Sequence, residues 1–193
     1  MKKFVLIGAG GHAKAIVEAI CETGGSISAY VDPKPSDWLD ASQKIDEKNL
    51  SVSDGSIVIG LGGLSPKKLR ARLAILDKII ERGFSAEPIV HPSAFVSSRA
   101  ILEPGAVVLG KAIVQPGASI GRGVIINTNA TIEHDSNIGA GAHIAPGAIV
   151  LGDTHIGDCT FVGAGAVILQ GRSVPTAGFV AAQTCYTGDH EQP

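Results

Sequence analysis

Charge is scarce in this chain. Only 18% of its 193 residues are Asp, Glu, Lys or Arg, and 16 basic against 18 acidic side chains leave a formal charge of -2. No basic footprint argues for a nucleic-acid partner. Cysteine is nearly absent: Cys21, Cys159 and Cys185 are odd in number and lack metal-ligand spacing. They indicate neither a disulfide framework nor a metal site. Long apolar runs are missing too. Met1-Lys2-Lys3 followed by Phe4–Ile7 starts like a secretion signal, but Gly8-Ala9-Gly10-Gly11 ends the run after four residues. That is too short for a signal core or a membrane span, so a cytoplasmic protein without membrane insertion is expected. Aromatic residues make up 4%, while the 25 glycines and 10 prolines fall well short of collagen-like composition. What remains is Ala, Val, Ile and Leu, a mixture suited to tightly stacked small layers.

Two periods divide the chain. Up to about residue 86, strand and helix signals alternate. Phe4–Ile7 reads as a strand buried on both faces, and a helix with Ile16, Val17 and Ile20 on one side follows it, stopped by Gly24-Gly25. Ile27–Val31 is a second strand, residues 32–48 form a polar excursion loop, and Ile57-Val58-Ile59 is a third strand. Ser65-Pro66 opens a second helix that sets Leu69, Leu73, Leu76 and Ile80 toward the sheet. This order predicts a small Rossmann-like α/β domain over residues 1–86.

From Val90 the period is six. Every sixth residue through Val180 is aliphatic, sixteen in succession. Two positions earlier the side chain is usually Ala, and three positions later it is usually Gly, or else Asn129, Asp135 or Asp153. Those last residue types tolerate positive φ at a corner. Such a hexad pattern predicts a parallel β-helix over residues 87–186, with three hexads per coil and the aliphatic residue pointing inward. Residues 187–193 read as a polar tail.

Several motifs in a fixed order carry a resemblance: Gly8-Ala9-Gly10-Gly11-His12, Val31-Asp32, His91-Pro92-Ser93-Ala94, Asn127-Thr128, and Ile132-Glu133-His134-Asp135. Together they resemble the sugar O-acyltransferase family. Its members include sialic-acid O-acetyltransferases of the NeuD type and nucleotide-4-amino-sugar N-acetyltransferases of the PglD type. The resemblance runs from residue 1 to about 168. It implies a left-handed β-helix and a homotrimer with active sites between subunits. It also implies acetyl-CoA as cosubstrate, with no metal.

His134 is the leading catalytic candidate. It lies two residues past the inward Ile132, so it belongs at a corner and points outward. Acetyl transfer to an amine needs a base, and neutral imidazole suits that task near pH 7. By the resemblance His134 is this base and Asp135 orients it, with Glu133 the less favoured acid. The alternative is a solvated corner histidine beside an acid chosen for its turn. His143, nine residues on, is half a coil away and is expected to face out at a different corner; two neighbouring chains would bring His134 and His143 together. The family's matching histidine contacts acetyl-CoA, whereas a plain surface histidine fits the position equally. The resemblance also places Ala164 in the acetyl-CoA groove. His155 reads as surface.

The Gly8–Ala13 loop, between a strand and a helix, can cradle phosphates on backbone N–H groups. Taken alone it suggests NAD, with Asp32 at the ribose position, but 84 residues are too few for a full dinucleotide domain. The resemblance assigns Gly10, Gly11, His12, Asp32 and Gly62 to a nucleotide-sugar substrate instead. A turn needed only for packing is the alternative. Two features depart from the family: Pro33 replaces a second acid after Asp32, and Gly171–Pro193 lacks the usual closing segment, with Arg172 at a normally small position.

The expected function is therefore acetyl-CoA-dependent acetylation of the 4-amino group of a nucleotide-linked sugar, for surface glycan synthesis. Sugar or sialic-acid O-acetylation and a non-catalytic trimeric scaffold are its rivals, with a nicotinamide oxidoreductase more distant.

Overall fold

The computed structural model describes residues 1–44 and 46–188. It begins with strand β1 (Lys3–Ile7), helix α1 (Gly11–Glu22), β2 (Ser26–Val31), β3 (Ser42–Lys44), β4 (Ser56–Ile59) and α2 (Pro66–Glu81). The four strands form one parallel sheet in the order β3-β2-β1-β4. Alternation along β1 divides its partners: Phe4 and Leu6 face α1, while Val5 and Ile7 face α2.

Two expectations about this half need correction. The stretch 32–48 is not all loop, because β3 adds an edge strand whose Ala29↔Ser42 register continues to Val31↔Lys44. Three polar residues carry no hydrophobic alternation. Backbone pairing holds them, helped by the Gln43 amide donating to the Asp32 carbonyl at 3.0 Å. Nor does α2 turn a single stripe toward the sheet. Leu76 and Ile79 pack on the sheet, whereas Leu69 is buried against Ala145, Cys159 and Phe161 of the β-helix, and Leu73 touches both. Ile80 is only partly buried. The helix is a wedge between two cores, so its apolar arc is wider than one sheet-facing stripe.

Seventeen two-residue strands from Ile89–Val90 to Cys185–Tyr186 build the second half as a three-sided prism. Each strand pairs in parallel with the one eighteen residues on, as in Ile125↔His143 and Thr131↔Ile149. The hexad aliphatics form one continuous core with the small alanines. Lys111, Asn129, Asp135, Asp153, Cys159, Ala177 and Gln183 take positive φ at corners, beside the glycines. The repeat extends one hexad past Val180. Tyr186 occupies the next inward position and donates its hydroxyl to the Ser173 carbonyl at 3.1 Å. The divergent segment after Gly171 thus keeps the coil through residue 186; of the expected polar tail, residues 189–193 lie outside the described residues.

The three faces differ in what they show outward. The first presents Ile89, Val107, Ile125, His143, Phe161 and Phe179, and the α/β half covers most of it. The second presents Phe95, Ile113, Thr131, Ile149, Val167 and Cys185 without cover among the described residues. The third presents Ser119, Asn137, His155 and Ser173 after Ile101. At the prism entry, the Ser93 amide and hydroxyl both donate to His91 Nδ1, at 3.1 and 2.9 Å. That leaves the imidazole proton on Nε2, facing Glu22 of α1 at 3.4 Å. Among the described residues no helix is long and apolar enough to cross a membrane.

Truncating an inward residue leaves a cavity that stiff, stacked coils cannot close. Ile126→Ala should lower unfolding free energy by about 2–5 kcal/mol in urea melts, against about 0.5 kcal/mol or less for the exposed His155→Ala.

Candidate active site

His134 sits at the corner between the second and third faces, where the chain must turn after the inward Ile132. Its Nδ1 lies 2.9 Å from the Asp135 carboxylate, and both side chains are more than half exposed. Asp135 takes the corner's positive φ of 61°. In the tautomer that donates from Nδ1 to this carboxylate, Nε2 carries the lone pair. Among the described residues Glu133 makes no side-chain hydrogen bond to His134, so Asp135 is the acid that touches it.

Two glycines that the sequence reading did not single out hold this pair. A Cβ on Gly152, eighteen residues after His134, would lie 2.6 Å from His134 Nε2. A Cβ on Gly117, eighteen residues before Asp135, would lie 2.2 Å from its carboxylate oxygen. The imidazole and the carboxylate therefore rest on bare backbone of the neighbouring coils. Counting one coil either way from the motif would have revealed both.

The second cluster lies where the α/β half meets the first face. His143 does point away from the prism core, but it is not a surface residue: it is only 3% exposed. Hexad period separates inside from outside of the prism and is blind to a domain laid over an outward face. Its Nδ1 donates to the Gly63 carbonyl at 2.7 Å, and the Asn127 amide reaches Nε2 at 3.0 Å. Asn127 in turn accepts the Thr128 N–H at 2.8 Å. The Phe161 ring meets the imidazole edge-on at 5.3 Å, and His12 lies 6.2 Å away.

His12, Gly63, Asn127 and His143, with Gly62, Leu64 and Lys68, line a pocket of about 300 Å³. His12 Nε2 has no partner there among the described residues. Burial, then the charge of Arg72, then His143, push the His12 pKa down to about 4. His143 is also lowered, by burial above all, despite its bond to Gly63. Both rings are neutral at pH 7. His134 is not part of this pocket, so one chain does not bring the two histidine clusters together.

The glycine loop is the third element. Gly8 needs its positive φ of 88°, and a Cβ on Gly60 would strike the Gly8 carbonyl at 2.2 Å, so packing explains those two. Gly10 and Gly11 differ: neither has positive φ, and a Cβ on either would meet nothing within 4 Å. The protein's own packing does not demand glycine at these positions, and the space above them is open. Asp32 is committed within the loop. Its two carboxylate oxygens accept the Ala9 and Lys34 N–H groups, each at 2.9 Å, while the Trp38 indole donates to the Ala9 carbonyl at 3.0 Å. Gly62 approaches His12, a Cβ there lying 3.4 Å from the histidine Cβ. Ala164 is an exposed corner residue, two coils beyond Thr128 on the edge shared by the first and second faces. Among the described residues no cluster of His, Cys, Asp and Glu is arranged to hold a metal.

Comparison with known proteins places this architecture. Residues 3–75 match the PglD N-terminal domain, and residues 135–170 match the bacterial transferase hexapeptide repeat. The acetyltransferase domain of PglB from Neisseria gonorrhoeae FA1090 is 33% identical, with a TM-score of 0.89 over 100% of this chain and 94% of that one. The chain belongs to the PglD-type family of hexapeptide-repeat sugar acyltransferases. It is an acetyltransferase of that family, built on its left-handed β-helix. The same PglB domain has been solved with acetyl coenzyme A, at 32% identity and TM-score 0.86 over 97% of this chain and 94% of that one. Perosamine N-acetyltransferase from Caulobacter crescentus, as a histidine-to-asparagine mutant with CoA and GDP-perosamine, is 28% identical. Its TM-score is 0.86 over 98% of this chain and 90% of that one. No curated protein matches the chain by sequence.

Two outcomes test this geometry. Gly152→Ala should displace the His134 ring while leaving the coil folded, visible as a changed imidazole environment by NMR. Because folding lowers the His12 pKa from 6.5 to about 4, its neutral form contributes stability fully only above pH 6.5. That contribution, about 3 kcal/mol at most, is lost as pH falls toward 4. Thermal melts at stepped pH should show the loss, and His12→Gln should flatten it.

Proposed function

We propose that the protein transfers the acetyl group of acetyl-CoA to an amino group, at the 4-position, of a nucleotide-linked sugar in surface glycan synthesis, in the cytoplasm where acetyl-CoA is made. The observation that carries this reading is the layout around the second face. On one of its edges stands the exposed His134–Asp135 pair; on the other are Asn127 and the mouth of the pocket shared with His12 and His143. Between them runs an apolar ladder in which Phe95 is 55% exposed and Ile149 37%. A surface of that kind calls for a partner. Three copies packed by their second faces around a three-fold axis would bury it, and would set His134 of one protomer against the pocket of the next.

The nucleotide of the sugar rests on the open Gly10-Gly11 backbone at the start of α1, whose first turn has no acidic residue. Gly62 and His12 lead from there into the pocket, and Asp32 keeps the loop in shape. The acetyl-CoA chain follows the corner column that includes Ala164, past the buried His143. That the PglB domain has been solved with acetyl coenzyme A, and perosamine N-acetyltransferase with CoA and GDP-perosamine, supports a site for two such ligands.

In the reaction the sugar amine attacks the thioester carbonyl and His134 Nε2 takes the proton the nitrogen sheds. Asp135 stabilises the resulting imidazolium through Nδ1. As the tetrahedral intermediate collapses, the C–S bond breaks and the proton returns to the leaving thiolate. The products are the N-acetyl sugar and CoA.

Thiol release from acetyl-CoA across UDP- and GDP-linked 4-amino sugars tests the reading, with free sialic acid as the contrasting acceptor. Turnover with sialic acid alone would overturn N-acetylation. His134→Ala should lower kcat by about 10²- to 10⁴-fold with acetyl-CoA affinity kept. Neither His134→Ala nor His12→Ala should be active alone, yet subunits of the two unfolded and refolded together should regain part of the activity. No recovery in mixed trimers would exclude sites shared between protomers.

A further inference from the structure

The most anomalous side chain in the molecule is Arg72. It is 1% exposed, and among the described residues no carboxylate lies within 4 Å of it. Burial lowers its pKa to about 10, so it stays charged at neutral pH. A buried, unpaired cation costs several kcal/mol unless something offsets it. Sequence pattern gives it an apolar place: it lies three residues after Leu69 and four before Leu76, on the buried arc of α2. A leucine or methionine there would satisfy the packing.

Its contacts show what the charge holds. Nε donates to the Leu61 carbonyl at 2.9 Å, and Nη1 donates to the Gly123 carbonyl of a prism corner. The guanidinium thus ties the loop after β4 to the β-helix. Two residues along that same loop, the Gly63 carbonyl is tied to the prism by His143. Gly62, between the two ties, faces His12. Among the described residues Nη2 has no partner, and neither has His12 Nε2. The charge of Arg72 reaches both His12 and His143. Lys68, one turn earlier on α2, lines the same pocket. The groups facing His12 and His143 from α1, α2, the 61–64 loop and the prism are therefore neutral or cationic, with no acid among the pocket's lining residues.

We infer that Arg72 is a positioning residue for the diphosphate of the nucleotide sugar: it clamps the Leu61–Gly63 loop on the prism and keeps the interdomain pocket positive for a dianionic ligand. This rests on the nucleotide-sugar reading above and adds a residue outside the family-derived set. The Leu61 and Gly123 carbonyls offset part of the cost of burying the charge and a bound anion offsets more, so Arg72 serves binding more than folding.

Arg72→Met separates those roles, since it fills similar volume without charge or donors. Relief of the buried charge opposes the loss of two hydrogen bonds, so the variant should melt within a few degrees of the parent. Calorimetry with UDP, GDP, CDP and dTDP identifies the nucleoside diphosphate that the parent protein binds. Arg72→Met should bind it about 10- to 100-fold more weakly, with acetyl-CoA affinity changed less than about threefold. In turnover, KM for the nucleotide sugar should rise while kcat falls little, and Arg72→Lys should recover part of the affinity. Unchanged nucleoside diphosphate affinity in either folded variant would overturn the inference and leave the acetyltransferase reading standing. If Arg72→Met does not fold while Arg72→Lys does, weakened nucleoside diphosphate binding in the lysine variant supports the inference, and a parent protein that binds none of the four nucleotides would overturn both readings. A loss of acetyl-CoA binding equal to the nucleotide loss would mean a general structural role and also overturn it.

Discussion

Coil length is the constraint on which the rest depends. Because each strand hydrogen-bonds to the one eighteen residues on, every side chain has a fixed neighbour directly above and below it. About 4.8 Å separates those layers, close enough that one coil's side chain rests on the next coil's backbone. The His134–Asp135 pair exists in its present geometry because the residues above and below it are glycines. Its hydrogen bond is local, whereas its orientation comes from layers remote in sequence.

A second interaction turns the scaffold into a site. Covering the first face with the α/β half buries His143 and closes a pocket that neither half would form alone. The seam is polar where His143 bonds Gly63 at the pocket and where Arg72 bonds Gly123, and apolar through Leu69, Leu73 and Phe161. Apolar contacts supply adhesion there, and the polar ties set the position of one loop. The uncovered second face complements this arrangement, since it separates the pocket from His134 by the width of one sheet.

How much of this was legible in the sequence follows from which distances the code is local in. The prism was readable almost residue by residue, because its period repeats within a window of six. The inward aliphatics, the alanines and the corner residues Asn129, Asp135 and Asp153 all stand where the pattern places them. The outward placement of His134 and its acid was equally local. Burial of His143 was not, since it depends on a domain some eighty residues away in sequence. Arg72 escaped notice because charged residues are assumed to be exposed, although its spacing from Leu69 and Leu76 put it on the buried arc. Strand β3 carried no periodic signal in three polar residues. The roles of Ala164 and Asp32 were drawn from family resemblance; the structure adds that the Asp32 carboxylate already holds two backbone N–H groups.

The non-glycine corners have a consequence for adapting this scaffold. Lys111, Ala177 and Gln183 hold a left-handed backbone that disfavours every side chain with a Cβ, by about 1–2 kcal/mol each. Replacing them with glycine would release that strain and raise the temperature tolerance of the prism at little chemical risk. Asp135 carries a milder form of that strain, since Asp tolerates positive φ better than most residues, and is closed to the same remedy. The corner that supplies the acid needs a carboxylate in a backbone shape that glycine would hold more comfortably, so part of the protein's thermal margin is permanently committed to its chemistry.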